Sequence, residues 1–218
     1  MLNLTMTDRI KRMRDRLIMT DPVVCPERAV IWTEVYKQNE SAPPIMKAAL
    51  ALKRTLEEMT ITIYDDELIV GNQGSALRAT TLNPTVNTWF KDELDRFDKR
   101  DGSRFLISEE TKEKIRAILP YWEGRTVYEN TLNLLDRKTV DAMNALVFTC
   151  GYTLSKGCGH WLLNFDHVLK GGFKSIREAA QRKLDELDYT DPRGVDQIPL
   201  YKAIIITCDA VRSFAMRY

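Results

Sequence analysis

The sequence predicts a mostly α fold with a few short β-strands. Three observations predict it. Apolar residues recur at three- and four-residue spacing along most of the 218 residues. Prolines and cap residues punctuate those stretches where helices start and stop. Near Ile61 to Val70 the pattern switches to short runs rich in isoleucine and valine.

Taken in order, Thr7-Asp8 opens a helix in which Ile10, Met13 and Leu17 share one face and basic residues the other, until Pro22. Pro26 suits the first turn of the next helix and Glu27 its dipole, with Ala29, Trp32, Val35 and Tyr36 as the buried stripe. Pro43-Pro44 leads into a third, carrying Ile45, Ala49, Leu52 and Leu56. Ile61, Ile63 and Tyr64, then Leu68 to Val70, read as two strands joined by the Asp65-Asp66-Glu67 turn. Gly71-Asn72-Gln73-Gly74 closes the second strand. It is a candidate anion cradle without the Gly-Lys-Ser/Thr of a phosphate loop. Arg28 and Arg78 are candidate cations; a solvated side chain is expected for Arg28 and a structural pair for Arg78.

Asn83-Pro84 should start a helix with Trp89, Phe90, Leu94 and Phe97 on one side. A charged loop from Asp98 to Arg104 follows. Ser108 is a good N-cap with Glu109 and Glu110 behind it, and Ile115, Ile118 and Leu119 continue to Pro120. Tyr121, Trp122 and Gly124 form an aromatic junction. Helices are expected near 126–135 and 137–150, and again from Phe173 to Leu187 with Ile176, Ala180 and Leu184 inward. Asp191-Pro192-Arg193-Gly194 is a turn. A last helix from about Leu200 has a broad apolar arc, Ala203 to Ala215, which needs a surface to bury against. Without a stop signal before Tyr218, the expectation is a fragment that exposes this arc.

With 32 basic and 31 acidic residues, nothing points to nucleic acid or to an anionic membrane surface. No apolar run approaches the roughly 20 residues of a membrane helix, and the charged N-terminus lacks a signal-peptide core. Cys25, Cys150, Cys158 and Cys208 show no paired spacing, so reduced thiols in a cytoplasmic protein are expected. No Gly-x-Ser-x-Gly elbow and no zinc-ligand spacing occurs, so no complete catalytic set and no metal site is visible.

Both histidines fall in one segment, Lys156 to Gly172, with Cys158 and four glycines. From chemistry alone this is a Gly-rich loop with a half-buried imidazole, since a lone histidine beside two glycines is a weak motif. The segment nonetheless resembles the Gly-x-Gly-His loop of glycyl radical enzymes, the pyruvate formate-lyase and B12-independent glycerol dehydratase superfamily. Gly157-Cys158-Gly159-His160 is followed by Phe165-Asp166, Val168-Leu169 and Gly172-Phe173 in the family's order. Glu27-Arg28-Ala29, Ala48 to Leu52, Asp66 to Asn72, Lys91 to Asp95 and Pro120-Tyr121-Trp122 match colinearly.

The resemblance implies that 1–218 is the incomplete N-terminal portion of a pyruvate formate-lyase-like domain, part of the family's α/β barrel. It implies an anaerobic enzyme, a dehydratase, lyase or formate acetyltransferase, which breaks a C–C, C–O or related bond of a small substrate. His160 transfers as a substrate-binding residue; Asn164 and Asp166 fix the loop. No cofactor is expected on this segment. The full-length enzyme would carry a glycyl radical, installed by a separate activating enzyme with S-adenosylmethionine and an iron-sulfur cluster. Further partners would be the remainder of the barrel and a second copy. The radical Arg-Val-x-Gly-Tyr and thiyl Gly-Cys-x-Glu motifs do not occur here, so no catalytic residue is assigned. The competing readings are a truncated, inactive assembly or binding module, and an independent helical domain, which predicts a well-covered final helix.

Overall fold

A computed structural model describes residues 6–148 and 164–218. Contacts divide the chain into two units: the described parts of 1–30 with 60–158, and of 31–59 with 159–218.

In the first unit, α1 (Asp8–Met19) starts where Thr7 Oγ1 accepts from the Ile10 N–H. It buries no residue and docks by charge. Arg12 holds the Asp66 carboxylate at 2.6 and 2.9 Å, and Arg9 and Arg16 donate to the carbonyls of Asp66 and Asp65. The two strands are β1 (Val23–Cys25) and β2 (Ala79–Thr81), parallel, with Val23 opposite Ala79 and Cys25 opposite Thr81. Leu106 bridges the other edge of β1.

The strands expected at 61–70 do not form. The acidic turn is present, with Asp66 at φ 73 and the Glu67 N–H on the Tyr64 carbonyl, but the segments on either side of it are irregular. Leu68 and Ile69 are 79% and 93% exposed. An apolar run marks a strand only where a layer covers it and a neighbour takes its ladder, and among the described residues neither is present.

The helix expected after Pro84 is also replaced. Two 3₁₀ turns, Trp89–Asp92 and Phe97–Lys99, run on i to i−3 bonds such as Glu93 N–H to Phe90 O. They still bury Phe90, Leu94 and Phe97 against Val24, Ala29, Leu82, Ile115 and Ile118. α4 (Glu109–Trp122) is capped by Ser108 and continues two residues past Pro120 to the buried Trp122. α5 (Val127–Leu132) opens on a full capping box between Thr126 and Glu129, and α6 (Arg137–Asn144) on Asp136. α6 ends before the expected 150, because Leu146 turns to φ 58 and both it and Val147 lie exposed.

α2 (Glu27–Gln38) gives its first turn to this unit and the rest to the second. There Ile31, Val35 and Ala51 form a core with Trp32, Tyr36 and Leu50; Ala51 lies on α3 (Pro44–Glu58). α7 (Phe165–Asp185) and the short α8 (Pro192–Val195) lead to α9 (Ile198–Ala215). α9 packs along both α3 and α7, burying Ala203, Cys208 and Ala210. The apolar arc expected to lie open is therefore covered within the chain. Beyond α9, the Arg217 guanidinium donates to the carbonyls of Leu56 and Met59, closing the end of α3.

Candidate functional site

His160, the predicted substrate contact, and Cys158 lie outside the described residues. What is described is the segment that follows them in the sequence, from Asn164 onward. Asn164 accepts the His167 N–H on its side-chain oxygen at 3.1 Å and so caps α7. Asp166 sits in the first turn, where a negative charge suits the helix dipole, and holds Lys170 at 2.9 Å. The sequence reading took 165–172 as loop; an asparagine followed by an acidic first turn was the missed signal.

Gly172 breaks α7. Its φ of 64 and ψ of 178 belong to a region essentially reserved for glycine. Ser175 Oγ donates to the Gly172 carbonyl at 3.0 Å, and a Cβ on Gly171 would collide with the Ser175 side chain. Before the kink lies an arm, 165–171, on which Phe165 is 60% and Leu169 83% exposed. After it, the body packs on α9, with Ala180 buried and the Arg177 Nε–H shared between the two Asp209 carboxylate oxygens at 2.8 and 3.1 Å.

Arm, body and α9 line an open cavity of about 480 Å³. Val168, Phe173, Ile176, Ala180 and Ile204 supply apolar walls. Asn164, His167, Lys183 and Tyr201 supply the polar groups around it. Such a lining orients and desolvates; it holds no nucleophile paired with a base. Cys208, buried nearby on α9, has its thiol pushed up by burial and by Asp209, the opposite of an activated thiolate.

Among the described residues no group of three metal-ligating side chains converges, and no helix is long and apolar enough to cross a membrane. The other sequence candidates fall elsewhere. Arg78 donates to the Thr20 carbonyl at 2.7 Å, the structural pairing expected of it. Gly74 lets its backbone pass Cys25 and Ala79, whose Cβ atoms would stand 3.1 and 2.8 Å from an added Cβ. Close packing explains that glycine without an anion. Arg28 is half-buried rather than solvated, and burial lowers its pKa.

The family described as pyruvate formate lyase-like matches residues 6–218. The chain is 31% identical over 216 residues to the probable dehydratase YbiW of Escherichia coli K12, covering 98% of this chain and 27% of that protein. It is 32% identical over 222 residues to the isethionate sulfite-lyase of Oleidesulfovibrio alaskensis, covering 97% and 27%. Among solved structures, the glycerol-bound B12-independent glycerol dehydratase of Clostridium butyricum superposes with a TM-score of 0.93 at 38% identity. That match covers 99% of this chain and 28% of the other. The chain thus spans about a quarter of the length of the relatives it matches.

Proposed function

Because the chain belongs to the pyruvate formate lyase-like family of glycyl radical enzymes, we propose that it is the N-terminal part of a cytoplasmic radical dehydratase. Its substrate would be a small hydroxylated molecule that loses a C–O bond. The likeness to the glycerol dehydratase over 99% of the chain, at a TM-score of 0.93, carries this reading. The likeness to a sulfite-lyase keeps C–S cleavage as the second reading.

On this reading His160 binds substrate from the loop that Asn164 anchors to α7. The thiyl cysteine and radical glycine belong to the rest of the barrel, with the radical installed by the S-adenosylmethionine activating enzyme. The assembled enzyme would be a homodimer. The 218 residues then form one incomplete portion of the catalytic domain and supply a wall and a binding group rather than the radical.

The test uses the full-length protein, activated anaerobically and supplied separately with glycerol and with isethionate. Loss of water from glycerol, with a glycyl radical signal, is the expected result. Sulfite release from isethionate alone would favour the second reading, and no radical on activation would overturn both. In the same protein His160→Ala should raise KM for glycerol about tenfold or more while leaving the radical signal intact. An unchanged KM would remove His160 from the site.

A further inference from the structure

The charged face of α1 is its inner face. Arg9, Arg12 and Arg16 stand at i, i+3 and i+7 on one side of the helix, and all three bond the Asp65–Asp66 turn. The turn is closed from within as well. The Glu67 N–H donates to the Tyr64 carbonyl, and the Glu67 carboxylate accepts the Tyr64 N–H at 3.1 Å. Helix and turn are thus fixed to each other by polar contacts.

What this pair turns outward is apolar. Ile18 and Met19, at the end of α1, are 63% and 84% exposed, and Leu17 beside them is exposed too. Just past the turn, Leu68, Ile69 and Val70 are also exposed. The Arg16 bond to the Asp65 carbonyl ties the two runs together. An amphipathic helix in a finished protein buries its apolar side, whereas α1 buries no residue. Six large apolar side chains on two clamped segments mark an interaction surface, unlike apolar residues exposed singly.

The occupant must itself be apolar. The cations of α1 are engaged, three on the turn and Lys11 and Arg14 on Asp8 and Asp15, so the surface offers no free positive charge to an anion. The chain covers 99% of itself but only 28% of the glycerol dehydratase structure it superposes on, so most of such a domain lies outside these residues. We propose that Leu17–Met19 and Leu68–Val70 form one docking surface, covered in the whole enzyme by apolar side chains of the same polypeptide from beyond residue 218. This rests on the reading of the chain as one portion of the catalytic domain.

The test uses the full-length protein. Amide exchange at Leu68, Ile69 and Val70 should be slowed about tenfold or more against an unstructured peptide. A smaller slowing would overturn the proposal. So would protection that vanishes on dilution, which belongs to a second copy. Ile69→p-benzoylphenylalanine should photo-crosslink within one polypeptide, to a residue beyond 218. A link between two copies, or none in a folded variant, would overturn it; if the variant fails to fold, exchange in the unmodified protein decides. The glycyl radical signal reads the proposed function separately. Open amides in a protein that carries the radical would sink the docking surface alone. Protected amides without a radical would keep the surface and lose the dehydratase.

Discussion

The first unit is filled by bulk: Phe90, Phe97, Ile115 and Trp122 are its large buried side chains. In the second, beside the Ile31 and Val35 core of α2, the faces of α3, α7 and α9 are filled by closeness. Its buried positions include Ala49, Ala51, Ala180, Ala203, Cys208 and Ala210, all small, on helices that run side by side. The elements match. Strands of three residues and 3₁₀ turns cannot bury much backbone-directed surface, so aromatic rings must fill the space between them. Helices of fifteen to twenty-one residues approach along their whole length if nothing large stands between them. The informative substitution should therefore differ between the two units: truncation in the first, enlargement in the second.

The largest expected effect is in the first. Phe97 stacks edge-on with Trp89 and Phe105, and the Arg100 guanidinium lies 4.6 Å from its ring centroid. Phe97→Ala leaves a cavity where these three groups converge and should cost ~3–5 kcal/mol in denaturant unfolding. A loss under ~1 kcal/mol would mean that the irregular segments collapse into the space, and that bulk does not organise this unit.

Along α9 truncation has little to remove and enlargement is the informative change. Ala203 is buried on α9, the helix that packs on both α3 and α7. Ala203→Leu should cost ~1–3 kcal/mol through overpacking, whereas the same change at exposed Lys202 should be nearly silent in thermal unfolding. A neutral Ala203→Leu would show that the helices separate without penalty, which would end the contrast.

How far the fold was legible in sequence follows the same division. The helices of the second unit could be read because their starts and stripes are local: Pro44 at a first turn, and Ile176 and Ala180 on one face. The first unit was harder. β1 is three residues between Pro22 and Pro26, and its partner lies more than fifty residues on, so only the tertiary structure reveals the pairing. Leu68 to Val70 misled because their apolarity is exposed rather than laddered. Phe90, Leu94 and Phe97 sit at a spacing that an α-helix and a pair of 3₁₀ turns satisfy equally, so the burial was legible and the backbone was not. At the site, Gly172 was legible as a break, but the helical arm before it depends on the Asn164 cap. The covering of α9 by α3 was not legible, since nothing local joins residue 51 to residue 203.

α1 follows neither pattern, and the smallest expected effect lies there. It buries nothing and is held by arginine bonds to the Asp65–Asp66 turn. Hydrogen bonding from Arg12, with the charges of Arg12, Arg16 and Arg9, holds the Asp66 carboxyl below the ordinary carboxylate range despite an opposing desolvation. The unfolded chain then binds the proton more readily than the folded one, so stability rises with pH in this window. The contribution is present above the ordinary carboxylate pKa of about 3.9 and is lost as pH falls through the depressed folded value. Because the pair is solvent-exposed, the signal belongs in a local titration rather than in global unfolding. The Asp66 carboxyl carbon, followed by NMR, should titrate below an ordinary aspartate, and Arg12→Gln should move its midpoint back up. Added salt should weaken the docking of α1 while leaving the Phe97 and Ala203 effects in place. An ordinary midpoint in the unmodified protein would show that the turn and the helix meet without the ion pair. The charge-docked helix would then have to be held by its half-buried Met13 after all.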